Sequence, residues 1–160
     1  MGAYRTTRNI EASLVDYLQT EIDKSWSGIS VIVGFEEAYT VKDMPIVALF
    51  VQDTSYKAIE IGDTNQQRLP LINLNIFAKS DEQKIDLKDY IVSKLFAGCA
   101  YYKYTITSGE ISTQTADGRL DIFNIADNPV VFDDMASVDA HDRHRHVISF
   151  NVQLSNIEEN

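Results

Sequence analysis

The stretch LPLINLNIFAKSDEQKIDLKDYIVSKLFAGC, Leu69 to Cys99, joins a strand to a helix with almost no slack and decides the fold class. Ile72, Leu74, Ile76 and Ala78 alternate with Asn73, Asn75 and Phe77, the period of a strand with one strongly apolar face. Ser80-Asp-Glu-Gln83 then has the form of a capping box: the Ser80 hydroxyl is placed to accept from the Gln83 amide, and the Gln83 side chain to reach back to the Ser80 amide. Leu87, Ile91 and Leu95 follow at helical spacing, flanked by Tyr90 and Phe96, until Gly98 supplies the left-handed residue that ends a helix. This unit frames a fold and carries no chemistry of its own.

Upstream, Asn9 is placed to cap a helix with an apolar stripe of Ile10, Leu14, Tyr17, Leu18 and Ile22. Trp26 and Gly28 close it, and Ile29 to Phe35 reads as a short β-branched strand ending near Gly34. Met44-Pro45 forces an extended entry into Ile46 to Val51, an apolar run suited to a central strand. Asp53-Thr-Ser55 has turn composition, with a weak return strand at Lys57 to Ile61. Downstream, Tyr101 to Thr107 reads as a strand with Tyr102, Tyr104 and Ile106 on one face. Residues 110–139 give only scattered apolar pieces around a turn at Asp117-Gly118 and a break at Asn128-Pro129, so a protruding hairpin or pair of loops is expected there. Ile148, Phe150, Val152 and Leu154 alternate with Ser149, Asn151, Gln153 and Ser155 as a closing strand, before a polar tail at 156–160.

The expectation is a single α+β domain over 1–160: a largely antiparallel sheet with two helices on one face. At that length about 70% of the unfolded surface is buried, enough for a core without staples. A lone cysteine excludes a disulfide framework and a cysteine-based zinc finger. The start, MGAYRTTR, leads into an amphipathic pattern without an apolar signal core, and no run approaches the roughly 20 apolar residues of a membrane span. The balance of 14 basic to 24 acidic residues, a net charge of -10, argues against a sequence-reading nucleic-acid module, which would carry a basic face.

Catalytic signatures are missing: the chain has no Gly-x-Ser-x-Gly elbow, phosphate loop or dinucleotide fingerprint. His141, His144 and His146, with Asp139 and Asp142 beside them, are the one metal-ligand candidate. Their spacing suits it poorly, because His141 opposes the other two on a strand and Arg143 and Arg145 bring positive charge. The plainer reading is a solvated loop leading into the last strand. Cys99 after a helix end is a packing residue, since the dipole there disfavours a thiolate. Glu36-Glu37 and Asp133-Asp134 read as solvated charges, and Tyr101, Tyr102 and Tyr104 as core and interface in preference to a base-stacking patch. No catalytic residue, cofactor or metal is therefore expected. The polar strand positions Asn73, Asn75, Asn151 and Gln153 need water, a lumen or a neighbouring subunit.

The order of elements resembles the tail-terminator and tail-completion proteins of long-tailed bacteriophages: an amphipathic helix at Ile10 to Ile22, strands at Ile29 to Phe35 and Ile46 to Val51, the strand and capped helix from Leu71 to Phe96, and the closing strand Val147 to Leu154. The likeness spans Ile10 to Leu154 as a pattern, without a signature motif, and residues 110–139 are longer than the family plan needs. It implies a structural, non-enzymatic virion protein. Such a protein forms a ring, usually of six copies, on the head-proximal end of the tail tube, after assembly in the host cytoplasm. There it ends tube polymerisation and offers the head a joining surface. Its implied partners are copies of itself, tail-tube and sheath protein, and a neck or connector protein. Genome DNA passes through the lumen without specific binding, and no membrane is involved. Other neck rings, such as a head-closure or adaptor protein, share the plan. A small metal-dependent enzyme using His141, His144 and His146 is the alternative of a different class.

Overall fold

A computed structural model describes residues 6–34, 45–58, 66–130 and 143–155. Their order is α1 (Thr6–Asp23), β1 (Ser30–Val33), β2 (Ile46–Ala58), β3 (Gln66–Phe77), α2 (Asp81–Leu95), β4 (Cys99–Thr107), β5 (Glu110–Pro129) and β6 (Arg145–Ser155). The six strands form one curled sheet in the order β1-β2-β3-β6-β5-β4. Only β1 and β2 run parallel; every other neighbouring pair is antiparallel. This is the α+β class expected from the sequence.

The β3–α2 unit behaves as its residues dictate. Ile72, Leu74 and Ile76 are fully buried on the face that meets α1 and α2, beside Ile148, Phe150 and Val152 of β6. Each such aliphatic side chain contributes about 1.5–3 kcal/mol on burial, so these two strands anchor the sheet. The Ser80 hydroxyl accepts from the Gln83 amide at 3.2 Å, while the Gln83 side chain accepts from the Lys79 amide at 2.8 Å and not from Ser80 itself. Gly98 has φ +66°, and a Cβ there would stand 2.6 Å from the Leu120 carbonyl oxygen, so glycine is required. On the opposite face Ile46, Ala48 and Phe77 form a second, smaller buried cluster with Ile32 against it.

Three sequence expectations give way to the structure. The first helix begins at Thr6, which places Asn9 inside it, buried and committed to β4. Asp53-Thr-Ser55 is not a turn: β2 runs through it, an extra residue at Gln52 is absorbed as a bulge, and the Asp53 carboxylate accepts from the Thr54 amide at 2.8 Å. Lys57 and Ala58 end that same strand, the true return strand is β3, and the rest of the proposed Lys57 to Ile61 strand lies outside the described residues.

Residues 110–129 are strand and not loop. The first half of β5 forms a projecting hairpin with β4, and the second half pairs with β6, with β4 alongside it only at Arg119 and Leu120. Positive φ at Gly118 (124°) and Asn124 (54°) coincides with the register shifts of β5 and breaks the alternation that would have announced it. The remainder of the expected 110–139 extension, from 131 on, lies outside the described residues, as do Glu36-Glu37, Asp133-Asp134, His141 and the tail 156–160.

Candidate functional site

A sheet edge exposes unpaired amides and carbonyls that invite another strand, and α1 answers both outer edges with side chains. On β4, Ser13 Oγ accepts from the Tyr102 amide at 3.0 Å and donates to the Tyr102 carbonyl at 3.5 Å. Asn9 Oδ1 accepts from the Tyr104 amide at 3.3 Å, while its Nδ2 donates to the Tyr101 hydroxyl at 3.3 Å. Four helical residues rise about 6 Å and two strand residues about 6.6 Å, so positions 9 and 13 keep step with 104 and 102. At the far edge, Gln19 Nε2 donates to the Ile29 carbonyl and its Oε1 accepts from the Val31 amide, both at 2.9 Å, reproducing a strand's donor and acceptor in one amide. Beyond the end of β1, Glu11 Oε1 accepts from the Val51 amide at 3.3 Å. Burial raises the Glu11 carboxyl above its ordinary range, and the Val51 bond partly opposes that.

The face of the sheet away from the helices carries a chain of amides. Arg145 Nε donates to Asn75 Oδ1 at 2.9 Å, Asn75 Nδ2 donates to Asn73 Oδ1, and Asn73 Nδ2 donates to Gln52 Oε1 at 3.1 Å. A guanidinium has no acceptor, so Asn75 must present its oxygen to Arg145, and every amide after it is oriented in turn. The chain therefore ends in the exposed amide nitrogen of Gln52, re-aimed by the bulge. Asn75 is only 1% exposed, so the expectation that both asparagines would be wet in an isolated subunit fails for it. Asn151 and Gln153 lie on the same face, half-buried, and Asn151 accepts from Asn124 at 3.5 Å.

The structure thus gathers Asn73, Asn75, Asn151 and Gln153 and sends the tyrosines elsewhere. Tyr101 is buried in the helix-side core, and Tyr104 is buried beside α1 with Tyr102 next to it at 6.4 Å between ring centroids. Cys99 is buried in the core, the packing position expected of it, and burial pushes its thiol up to about 12.

The histidines are drawn to different carboxylates. His144 Nδ1 lies 2.9 Å from Asp81 at the start of α2, and His146 Nε2 lies 3.0 Å from Asp127 of β5. The His144 hydrogen bond, with Lys84 next, holds the Asp81 carboxyl below its ordinary range. Among the described residues no three histidine, cysteine or acidic side chains are grouped to hold a metal. His146 is a buried residue of β6 and not part of a solvated loop. Among the described residues no helix is long and apolar enough to cross a membrane.

Asn9, Ser13, Gln19, Gln52 and Arg145 carry this architecture without standing out in the sequence as site residues. The one signal available was the polar pair at 9 and 13, spaced by four beside the apolar stripe of α1. Compared with models of known protein families and with curated protein sequences, the chain matches none.

Proposed function

We propose that this chain is a structural subunit of a closed ring of six copies at the head-proximal end of a phage tail, where it ends tube growth and offers a joining surface to the head. The observation that carries the reading is the capping of β1 at Val31 and of β4 at Tyr102 and Tyr104 by side chains of α1. A strand edge whose amides are taken in this way does not accept another strand there, which suits a protein whose task is to stop an assembly and not to extend one. The face with the Arg145–Asn75–Asn73–Gln52 chain supports the reading in a second way, because it is a polar surface ordered within the subunit before any partner arrives. The net charge of -10 suits a lumen that lets DNA slide past, since like charge offers phosphates no cationic partner.

The mass of the purified protein, measured alone and mixed with tail-tube protein, tests this. A ring mass, or rings seated on tube ends by electron microscopy, is the expected result. Monomer under both conditions contradicts it. Imaging which layer of the neck the ring occupies separates a terminator from a head-closure ring.

A further inference from the structure

The irregularities of four strands lie on one line across the sheet. On β2, Gln52 is the extra residue between the Val51–Ile72 and Asp53–Leu71 pairs. On the other side of β3, pairing with β6 ends at Leu71–Asn151. On β5, Asn124 and Ile125 together stand opposite Phe150, between the Phe123–Asn151 and Ala126–Ser149 pairs, with Asn124 at φ 54°. Gln52, Leu71, Asn151 and Phe123 therefore stand in one row, in which neighbouring ladders are interrupted together. One bulge bends its own strand, and a row of interruptions makes a crease.

Past the crease, β2 and β3 lose their neighbours. The next β3–β6 pair would join Pro70 to Val152, and proline has no N–H to donate. Since the Ala78 amide reaches the His144 carbonyl, even-numbered residues of β6 face β3. β6 follows β5 alone to Ser155, and among the described residues no backbone group takes those of Leu154. On the other flank, β1 accompanies β2 only as far as Val33–Leu49. Asp53 to Ala58 and Gln66 to Leu71 thus form a two-stranded ribbon, with no third strand beside it among the described residues. Pairing inside the ribbon is unbroken, and the Arg68 guanidinium lies 5.9 Å from the centre of the Tyr56 ring across it. On the near side of the crease the packed core begins at once, with Ile72 fully buried. Two side chains hold the line itself: Asn73 Nδ2 donates to Gln52 Oε1 at 3.1 Å, and Glu11 of α1 accepts from the Val51 amide at 3.3 Å.

We infer that this ribbon is a flap hinged at the crease, a conformational device that swings as a unit against the subunit body while the core stays packed. Bending is opposed inside the ribbon by its continuous ladder and below the crease by buried side chains. At the crease, two chain crossings and two side-chain hydrogen bonds are what resist it, and a few residues of this kind absorb the backbone change of a hinge. The inference rests on strand register and stands apart from the ring reading.

Spin labels on paired cysteines in the full chain test it. Ser55→Cys with Phe96→Cys reports flap against body, and Val33→Cys with Phe96→Cys reports two points of the body; all three positions are exposed, and the buried Cys99 is shielded from label. The expected result is a distance distribution about twofold broader for the 55–96 pair than for the 33–96 pair. Adding Gln52→Ala, which removes one bond at the crease, broadens the first further and leaves the second unchanged. Equal widths for the two pairs overturn the hinge. Amide exchange checks that the flap moves whole: slow exchange at Leu69, whose amide faces β2, is expected, and fast exchange there, the mark of a melted ribbon, overturns the inference as well.

Discussion

The outer strands β1 and β4 and the inner seam between β3 and β6, where pairing stops at Leu71–Asn151 while β5 follows β6 to Ser155, are treated differently by the chain. At β1 and β4, backbone groups that would attract a strand are met by Gln19, Ser13 and Asn9 from one helix. At β6, Pro70 on the neighbouring strand stands where the pairing ends, and among the described residues no backbone group takes those of Leu154. One helix thus caps the β1 and β4 edges, while one residue ends the pairing inside the sheet.

The most damaging way to break this contrast is Asn9→Leu. It strips the Tyr104 amide and the Tyr101 hydroxyl of their partners inside a buried site, at a cost of about 3 kcal/mol read as a fall in the denaturant midpoint, and the uncapped β4 edge should promote aggregation. Asn75→Leu comes next, at about 2 kcal/mol, because the bond from Arg145 to the Asn75 oxygen is lost in a buried place and the orientation of Asn73 and Gln52 is lost with it. The double change Asn73→Leu/Asn75→Leu should accordingly lower stability as well as alter assembly. Gln19→Leu frees the Val31 amide and the Ile29 carbonyl in a partly buried place, and about 1 kcal/mol is expected in the same assay.

Glu11→Gln has the smallest effect and sharpens the comparison through pH. Burial raises the folded Glu11 carboxyl above its ordinary value of 4.5, so the folded state holds that proton more tightly than the unfolded one. Its ionisation therefore costs stability. The cost is absent below pH 4.5, grows as pH rises through the raised value, and is constant above it. Glutamine keeps the oxygen that accepts from Val51, so the variant should match the parent in acid and exceed it slightly at neutral pH in paired unfolding curves.

The elements with local instructions were legible in the sequence. The alternation of Ile72 to Ala78, the Ser80 cap, Gly98 and the β6 alternation each depend on neighbours in the chain, and each appears where its pattern puts it. The sealing of the edges was not legible, because Asn9 and Tyr104 stand 95 residues apart and Ser13 and Tyr102 stand 89 apart. Asn9 looked like a helix cap because the same amide chemistry serves a cap and a strand edge equally well. β5 was hidden by its bulges, and the turn composition of Asp53-Thr-Ser55 masked a strand that continues through it past the bulge at Gln52. The poor metal spacing of the histidines was legible, but the burial of His146 was not, because α2 and β5 supply Asp81 and Asp127 to the two described members from far along the chain.

Amide hydrogen exchange, resolved to single residues in dilute subunit and in assembled ring, tests the contrast most directly. The Val31, Tyr102 and Tyr104 amides should exchange slowly in both states, held by α1, and the Leu154 amide should exchange fast in the dilute subunit. Fast exchange at Tyr102 and Tyr104 in the subunit, or a protected Leu154 there, would contradict the account.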